Sequence, residues 1–355
     1  MPQEVADAPS LVARHAGELP DYVTSVALSA DGTLVAASCA NGQLLLGTRS
    51  PNANDFTTHV VDAHAGDATR VAISPNASVV ATGGVDGAVR LWNPDGSLIS
   101  ERTSSGGRAS GWCNDLAFNP VSGELAAAVG RAVVRLDADG NSTVEHEPLE
   151  ATIDCLEWSA DGRRLFVGRY GGAVMFQGDR RALKRFDWKG ALLTVRVSPD
   201  GKWLASGNQD ASVHCWKVSD GSDLQMTGYE MKIQSIAWDT TSRYLAIGTV
   251  SEISMWDFSG KGPRGSRPTS LVGFDGRVVG LGFLAANSSF LLSASVDGLV
   301  CLWQPQRTPR TLRGTVELAA KPTAFGLAAR VPQCVVGDDS GTVVVVDVVS
   351  DSLGA

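Results

Sequence analysis

The chain has 355 residues, 43% of them hydrophobic, and a formal net charge of −8. That balance supplies a substantial core for one large domain and argues against a surface that tracks a phosphate backbone. No apolar run approaches about 18 residues and the start, MPQEVADAPS, is acidic and polar, so neither a membrane span nor a secretory leader is expected.

After an expected tail of residues 1–10, the segment Leu11 to Gly17 (LVARHAG) carries a His-Ala-Gly that returns at His64-Ala65-Gly66. From there one three-strand phrase repeats at a spacing of about 45 residues. Its copies are tracked by the residue after each first strand: Ser29, Ser74, Asn119, Ser159, Ser198, Asp239, Leu284 and Ala328. The clearest runs from Val71 to Trp92 (VAISPNASVVATGGVDGAVRLW), with close relatives at Val195 to Trp216 and Gly282 to Trp303. First turns hold Asp31-Gly32, Asp161-Gly162 and Asp200-Gly201; second turns hold Asn41-Gly42, Asp86-Gly87 and Asp297-Gly298. Such pairs tolerate positive φ and close tight antiparallel hairpins.

Looser β-prone stretches, Phe56 to His64, Ser142 to Pro148 and Ala182 to Trp188, read as outer fourth strands. After the last third strand, Thr342 to Val349, residues 350–355 are too few for another, so Leu11 to Gly17 is expected to complete the final unit and remove an exposed edge. The fold expected is all-β: a single β-propeller of four-stranded antiparallel blades over residues 11–349, with a tail at 350–355. Eight blades are expected, with seven as the alternative, and an N-terminal strand closes the ring. The six cysteines, Cys39, Cys113, Cys155, Cys215, Cys301 and Cys334, fall in predicted strands and are expected as buried thiols.

These phrases resemble the WD-repeat β-propeller family over nearly the whole chain. The resemblance implies a hydrogen-bonded chain inside each blade, from a His before the first strand, a Ser or Thr in the second, an Asp in the second turn and a Trp in the third. His64, Thr82, Asp86 and Trp92 match all four positions; Ser206, Asp210 and Trp216 match three, as do Ser293, Asp297 and Trp303. Arg131, Gly171 and Ser340 replace the Asp elsewhere. A buried indole N–H requires an acceptor, so these residues are assigned to the structural network.

In antiparallel blades the loops entering the first strands and the turns between second and third strands emerge on one face. Tyr22, Trp112, Tyr170, Trp188, Tyr229 and Phe274 fall there, with Arg169, Lys232 and Arg277 as polar companions. The template places Trp92, Trp216, Trp256 and Trp303 on third strands and Trp158 and Trp238 on first strands; the face aromatics are left over as candidate anchors for a partner. Within the first strands, a position otherwise Ala or Gly carries Glu157 and Arg196 in neighbouring units, and Arg70 and Asp115 are likewise equivalent neighbours. Opposite charges on adjacent inner strands are expected to pair beside the central channel.

Other signals are weaker. The basic run Asp179 to Lys189 contains its own acids and reads as a solvated outer edge, and Gly260 to Pro268 reads as an insertion. Only five histidines occur and none lies on a first strand, so no catalytic or metal-binding set is expected and no cofactor is assigned. The function expected is a non-catalytic scaffold for a protein or peptide, monomeric and cytoplasmic, with no nucleic-acid or membrane partner. A propeller enzyme or small-ligand binder at the channel mouth is the alternative.

Overall fold

The computed structural model describes residues 9–50, 53–103, 111–178, 183–260, 262–285, 287–307 and 311–349. Residues 1–8 and 350–355 of the expected tails, and 179–182 of the basic run, lie outside them. Every regular element among the described residues is a β-strand, and no helix is long and apolar enough to cross a membrane.

The second unit shows the plan. Strands Ala68–Ile73, Val80–Gly84, Val89–Trp92 and Leu98–Arg102 pair antiparallel in that order. Gly87 takes φ 72° in its second turn, the conformation that the Asp-Gly pair foretells. The first strands of successive units neighbour one another round the axis, and Pro322–Leu327 of the last neighbours Val23–Leu28 of the first.

Strand Ser10–Glu18 closes the ring, pairing with Thr342–Val349 from Ser10↔Val349 to Glu18↔Thr342 and completing the sheet with Gln333–Asp338 and Pro322–Leu327. Arg14 pairs with Asp347 across this seam. A bulge between His15 and Gly17 shifts the register, and Gly17 fits because a Cβ there would lie 2.6 Å from Leu45 Cδ1.

The expectation of eight blades is corrected to the alternative of seven: among the described residues the ring holds seven hydrogen-bonded sheets, six of four strands and one of six. The six-stranded sheet arises where the fourth and fifth repeat units meet. Arg164–Gln177 pairs through Leu165 to Arg169 with Ile153–Trp158, then from Tyr170 to Met175 with Lys184–Val197. That last strand runs on without interruption, and its Leu192 to Val197 half pairs with Trp203–Asn208. The outer strand expected at Ala182 to Trp188 is therefore only the first half of a 14-residue strand. The two long strands carry the pairing from one unit into the next across an irregularity between Tyr170 and Gly172, so the units share one sheet while each keeps its own first strand at the axis.

The sheets pack closely because one second-strand position is small in every unit: Ser38, Gly83, Ala128, Gly168, Gly207, Gly248, Ala294 and Gly337. A Cβ at Gly83 would fall 2.3 Å from Cys113 Sγ, at Gly248 2.7 Å from Val278, and at Gly337 2.3 Å from Val23. The following sheet occupies that space, so the small residue sets the approach of the sheets. Indoles add bonds between units: Trp158 Nε1 donates to Ala117 O and Trp238 Nε1 to Arg196 O, each at 3.1 Å. All six cysteines are buried free thiols.

Candidate binding face

In most units the second-turn N–H donates to the carbonyl of the residue just ahead of the first strand: Ala40 to Tyr22, Val85 to Asp67, Gly130 to Trp112, Gln209 to Ala191, Val296 to Arg277 and Asp339 to Lys321. These bonds hold entry loop and turn together on one rim. The entry position then reads Tyr22, Asp67, Trp112, Thr152, Ala191, Lys232, Arg277 and Lys321 around the ring.

In the second unit the four network residues connect. Asp86 can only accept, so His64 Nδ1–H donates to its Oδ1 at 2.9 Å, leaving Nε2 to accept from the Thr82 hydroxyl at 2.9 Å. Thr82 Oγ1 in turn accepts the Trp92 indole N–H at 2.9 Å. Burial lowers the His64 pKa, against the pull of Asp86. Burial alone would raise the Asp86 pKa, but the Ala88 N–H, His64 and Arg90 outweigh it and hold the carboxyl down at about 2. The other two expected networks are partial. Trp303 Nε1 donates to Ser293 Oγ at 2.9 Å while Asp297 instead takes the Asp275 N–H. Ser206 Oγ donates to Asn208 Oδ1, and Asp210 accepts from Ser212, so neither links to Trp216 among the described residues.

Three expected face anchors pack inward, Phe274 buried and Trp188 and Tyr229 half-buried against the core, and their assignment as exposed anchors is withdrawn. Trp188, Tyr229 and Phe274 each stand ten residues before their unit's tracking residue, as His64 does before Ser74. They fill the His64 slot. Tyr229 Oη accepts the Trp256 indole N–H at 3.1 Å, and burial raises its pKa. Phe274 packs edge-on to Trp303 with ring centroids 6.0 Å apart. Trp188 lies 4.3 Å from the His214 ring, which lies 4.4 Å from Trp216. The signal was in the spacing: a slot defined by distance from the tracking residue accepts an aromatic ring in place of imidazole. Arg169 is also buried rather than displayed.

Tyr22, Trp112 and Tyr170 remain on the rim, 43%, 62% and 62% exposed. Lys232 is exposed and Arg277 half-buried. The rim thus has an aromatic arc in the first, third and fourth units and a basic arc in the sixth to eighth.

Along the channel, Arg70 Nε lies 3.5 Å from Asp115 Oδ1, and Arg196 Nη1 lies 3.3 Å from Glu157 Oε2. Asp115 Oδ2 also accepts the Leu156 N–H at 2.8 Å, tying the third unit to the fourth. Glu157 is walled in by protein although water still reaches its edge. Burial raises its pKa to about 7, with Arg196 opposing and Asp115 reinforcing the rise.

A closed ring of radial antiparallel sheets with a His–Thr–Trp relay defines the class as β-propeller. The family model "WD domain, G-beta repeat" matches residues 11–46, 56–93 and 183–217, and these repeats together with the seven-sheet ring support a WD-repeat β-propeller. The chain is 26% identical over 215 residues to the periodic tryptophan protein 2 homolog of Mus musculus, covering 57% of this chain and 23% of that protein. It is 28% identical over 178 residues to a subunit of chromatin assembly factor 1 from Gallus gallus, covering 47% of this chain and 28% of that protein. The match to each therefore spans less than a third of the relative's own length. The crystal structure of Saccharomyces cerevisiae Sqt1 superposes with a TM-score of 0.77 at 14% identity, covering 98% of this chain and all of that one, which shows the shared fold.

Proposed function

We propose that the chain is a non-catalytic scaffold that takes a protein or peptide partner on the rim of entry loops and second turns, with Trp112 and Tyr170 as its anchors. The observation that carries this reading is their exposure: two large rings stand 62% exposed, Tyr22 is less so at 43%, and Trp188, Tyr229 and Phe274 pack against the repeat. Exposed aromatic anchors concentrate binding energy in protein interfaces. The matched WD repeats support the reading, as does a relative named as part of an assembly factor. The net charge of −8 favours a protein partner over nucleic acid, and the proposal carries with it a monomeric, cytoplasmic protein.

Trp112→Ala and Tyr170→Ala are expected to leave the melting temperature within about 2 °C, because neither ring contributes to the core. Affinity capture of partners from the native source should fall by about tenfold or more for each. Variants that stay folded and retain every partner would move the binding surface off this rim.

A further inference from the structure

The rim of the fourth unit is built in the reverse electrical sense to that of the second. In the second unit the turn carboxylate of Asp86 accepts from His64, the Ala65 and Ala88 N–H groups and Arg90, at 2.9 to 3.3 Å. In the fourth unit Gly171 takes the Asp position and Leu149 the His position, while Arg169 replaces Gly84. A Cβ on Gly171 would lie 3.0 Å from Arg169 Nη1, so a guanidinium fills the space beside the turn.

This cation is poorly matched. The Arg169 side chain is 7% exposed; Nη1 donates to Tyr170 O at 2.6 Å, and Nε meets no acceptor among the described residues. The nearest carboxylate, Glu150, stands 3.6 Å from Nη2, beyond hydrogen-bond reach, and is itself 67% exposed. Arg185 already holds that carboxylate with two bonds, at 3.0 and 3.2 Å. One solvent-facing acid thus serves two guanidiniums, and Arg131 and Asp187 add one exposed charge of each sign nearby. A buried guanidinium is expected to have a close, well-aligned anion.

We propose that Arg169, Arg185 and Tyr170 form a socket for an acidic side chain of a protein partner, with Glu150 holding its place until the partner's carboxylate displaces it. The inference rests on the rim reading above and adds the partner's chemistry: an acidic residue seated against Tyr170 and bonded to Arg169. Arg169 and Tyr170 are adjacent on one turn, and Glu150 of the entry loop links Arg169 to Arg185 on the outer strand, so one acidic segment laid against Tyr170 can reach both guanidiniums.

The test uses fluorescein-labelled heptapeptide pools, randomised except for a central Glu, Gln or phosphoserine, titrated against the full chain by anisotropy. The Glu pool should bind more tightly than the Gln pool by about tenfold. Arg169→Gln should erase that ratio. Glu150→Gln, an exposed change that keeps the fold, should raise affinity for the Glu pool. Equal Glu and Gln binding, or an unaltered ratio in both variants, overturns the socket; a phosphoserine pool that outbinds Glu through Arg169 reassigns it to phosphate. Trp112→Ala separates the two readings, because it should weaken all pools alike. If it weakens none, the rim proposal fails whatever the ratio.

Discussion

The two arcs of the ring are held together by different chemistry. From the last unit to the fourth, each junction repeats one bond, in which the second residue of a first strand donates to a carbonyl of the next unit. Thr323 reaches Val23 at 2.6 Å and Asn114 reaches Ile153 at 2.9 Å, with Thr24 to Ala68 and Thr69 to Cys113 between them. On the other arc that position is Asp154, Leu193, Gln234 and Val279, and none makes the bond among the described residues. Cohesion there comes from the continuous six-stranded sheet, the Trp238 indole bond and the aromatic rings in the His64 slot. The repeat therefore conserves a geometry, and local packing decides which interaction maintains it.

The largest effect should follow from cutting the polar arc at its seam. Deleting residues 1–17 removes the strand paired with Thr342–Val349 and uncovers an edge rich in valine. Cooperative unfolding should be lost or the melting temperature should fall by about 10 °C or more. A truncated chain with an unchanged melt would mean that the ring closes another way.

A smaller but still severe effect is expected at the sheet spacing. Gly337→Val would drive methyl groups into Val23 at the seam, and Gly248→Val would do the same to Val278 on the aromatic arc. Each should cost about 1 to 3 kcal/mol or more by overpacking. Urea melts that differ widely between the two would show that one arc yields more readily than the other.

Next come the relays. Thr82→Val strands both the Trp92 indole and one His64 nitrogen, at a cost of about 1 to 3 kcal/mol. Ser206→Ala, whose hydroxyl serves only local partners, should cost about 1 kcal/mol or less. Chemical denaturation of the pair compares a linked hydroxyl with an unlinked one, and equal losses would show that the relay adds nothing.

The smallest effects are in pH, with opposite signs. Asp86 titrates in the folded chain at about 2, below its ordinary 3.8, so its contribution is complete above the ordinary value and disappears as pH falls toward 2. After solvent screening it is up to about 2 kcal/mol. Glu157 titrates at about 7, above its ordinary 4.5, so the stability linked to it is complete below the ordinary value and is lost as pH rises through 7. Melting temperatures across neutrality should decline gently for the wild type, and Glu157→Gln should flatten that slope. A slope unchanged in the variant would assign the titration to another group.

Much of this was readable in the residues. Asp-Gly turns fixed the hairpins, a repeated His-Ala-Gly pointed to the closing strand, and charges at a position otherwise Ala or Gly identified the channel pairs. The continuous strand Lys184–Val197 was hidden because nothing between Trp188 and Ala191 differs in composition from a loop. Trp188, Tyr229 and Phe274 stand out as surplus when the template is searched for histidine rather than for the space histidine fills. The charge reversal around Arg169 depended on distances between segments about twenty residues apart, which no local pattern carries.

The closing strand also imposes an order in time. Arg14 and its partner Asp347 are separated by 333 residues. At about 5 to 20 residues per second, a ribosome needs roughly 17 to 67 seconds to make the span between them. Throughout that interval Ser10–Glu18 is an unpaired strand attached to a growing ring whose final edge does not yet exist. Two chains finishing side by side each present the same free strand and the same free edge, so any exchange of strands between copies is expected at this seam, and its product should grow with the concentration of refolding chain.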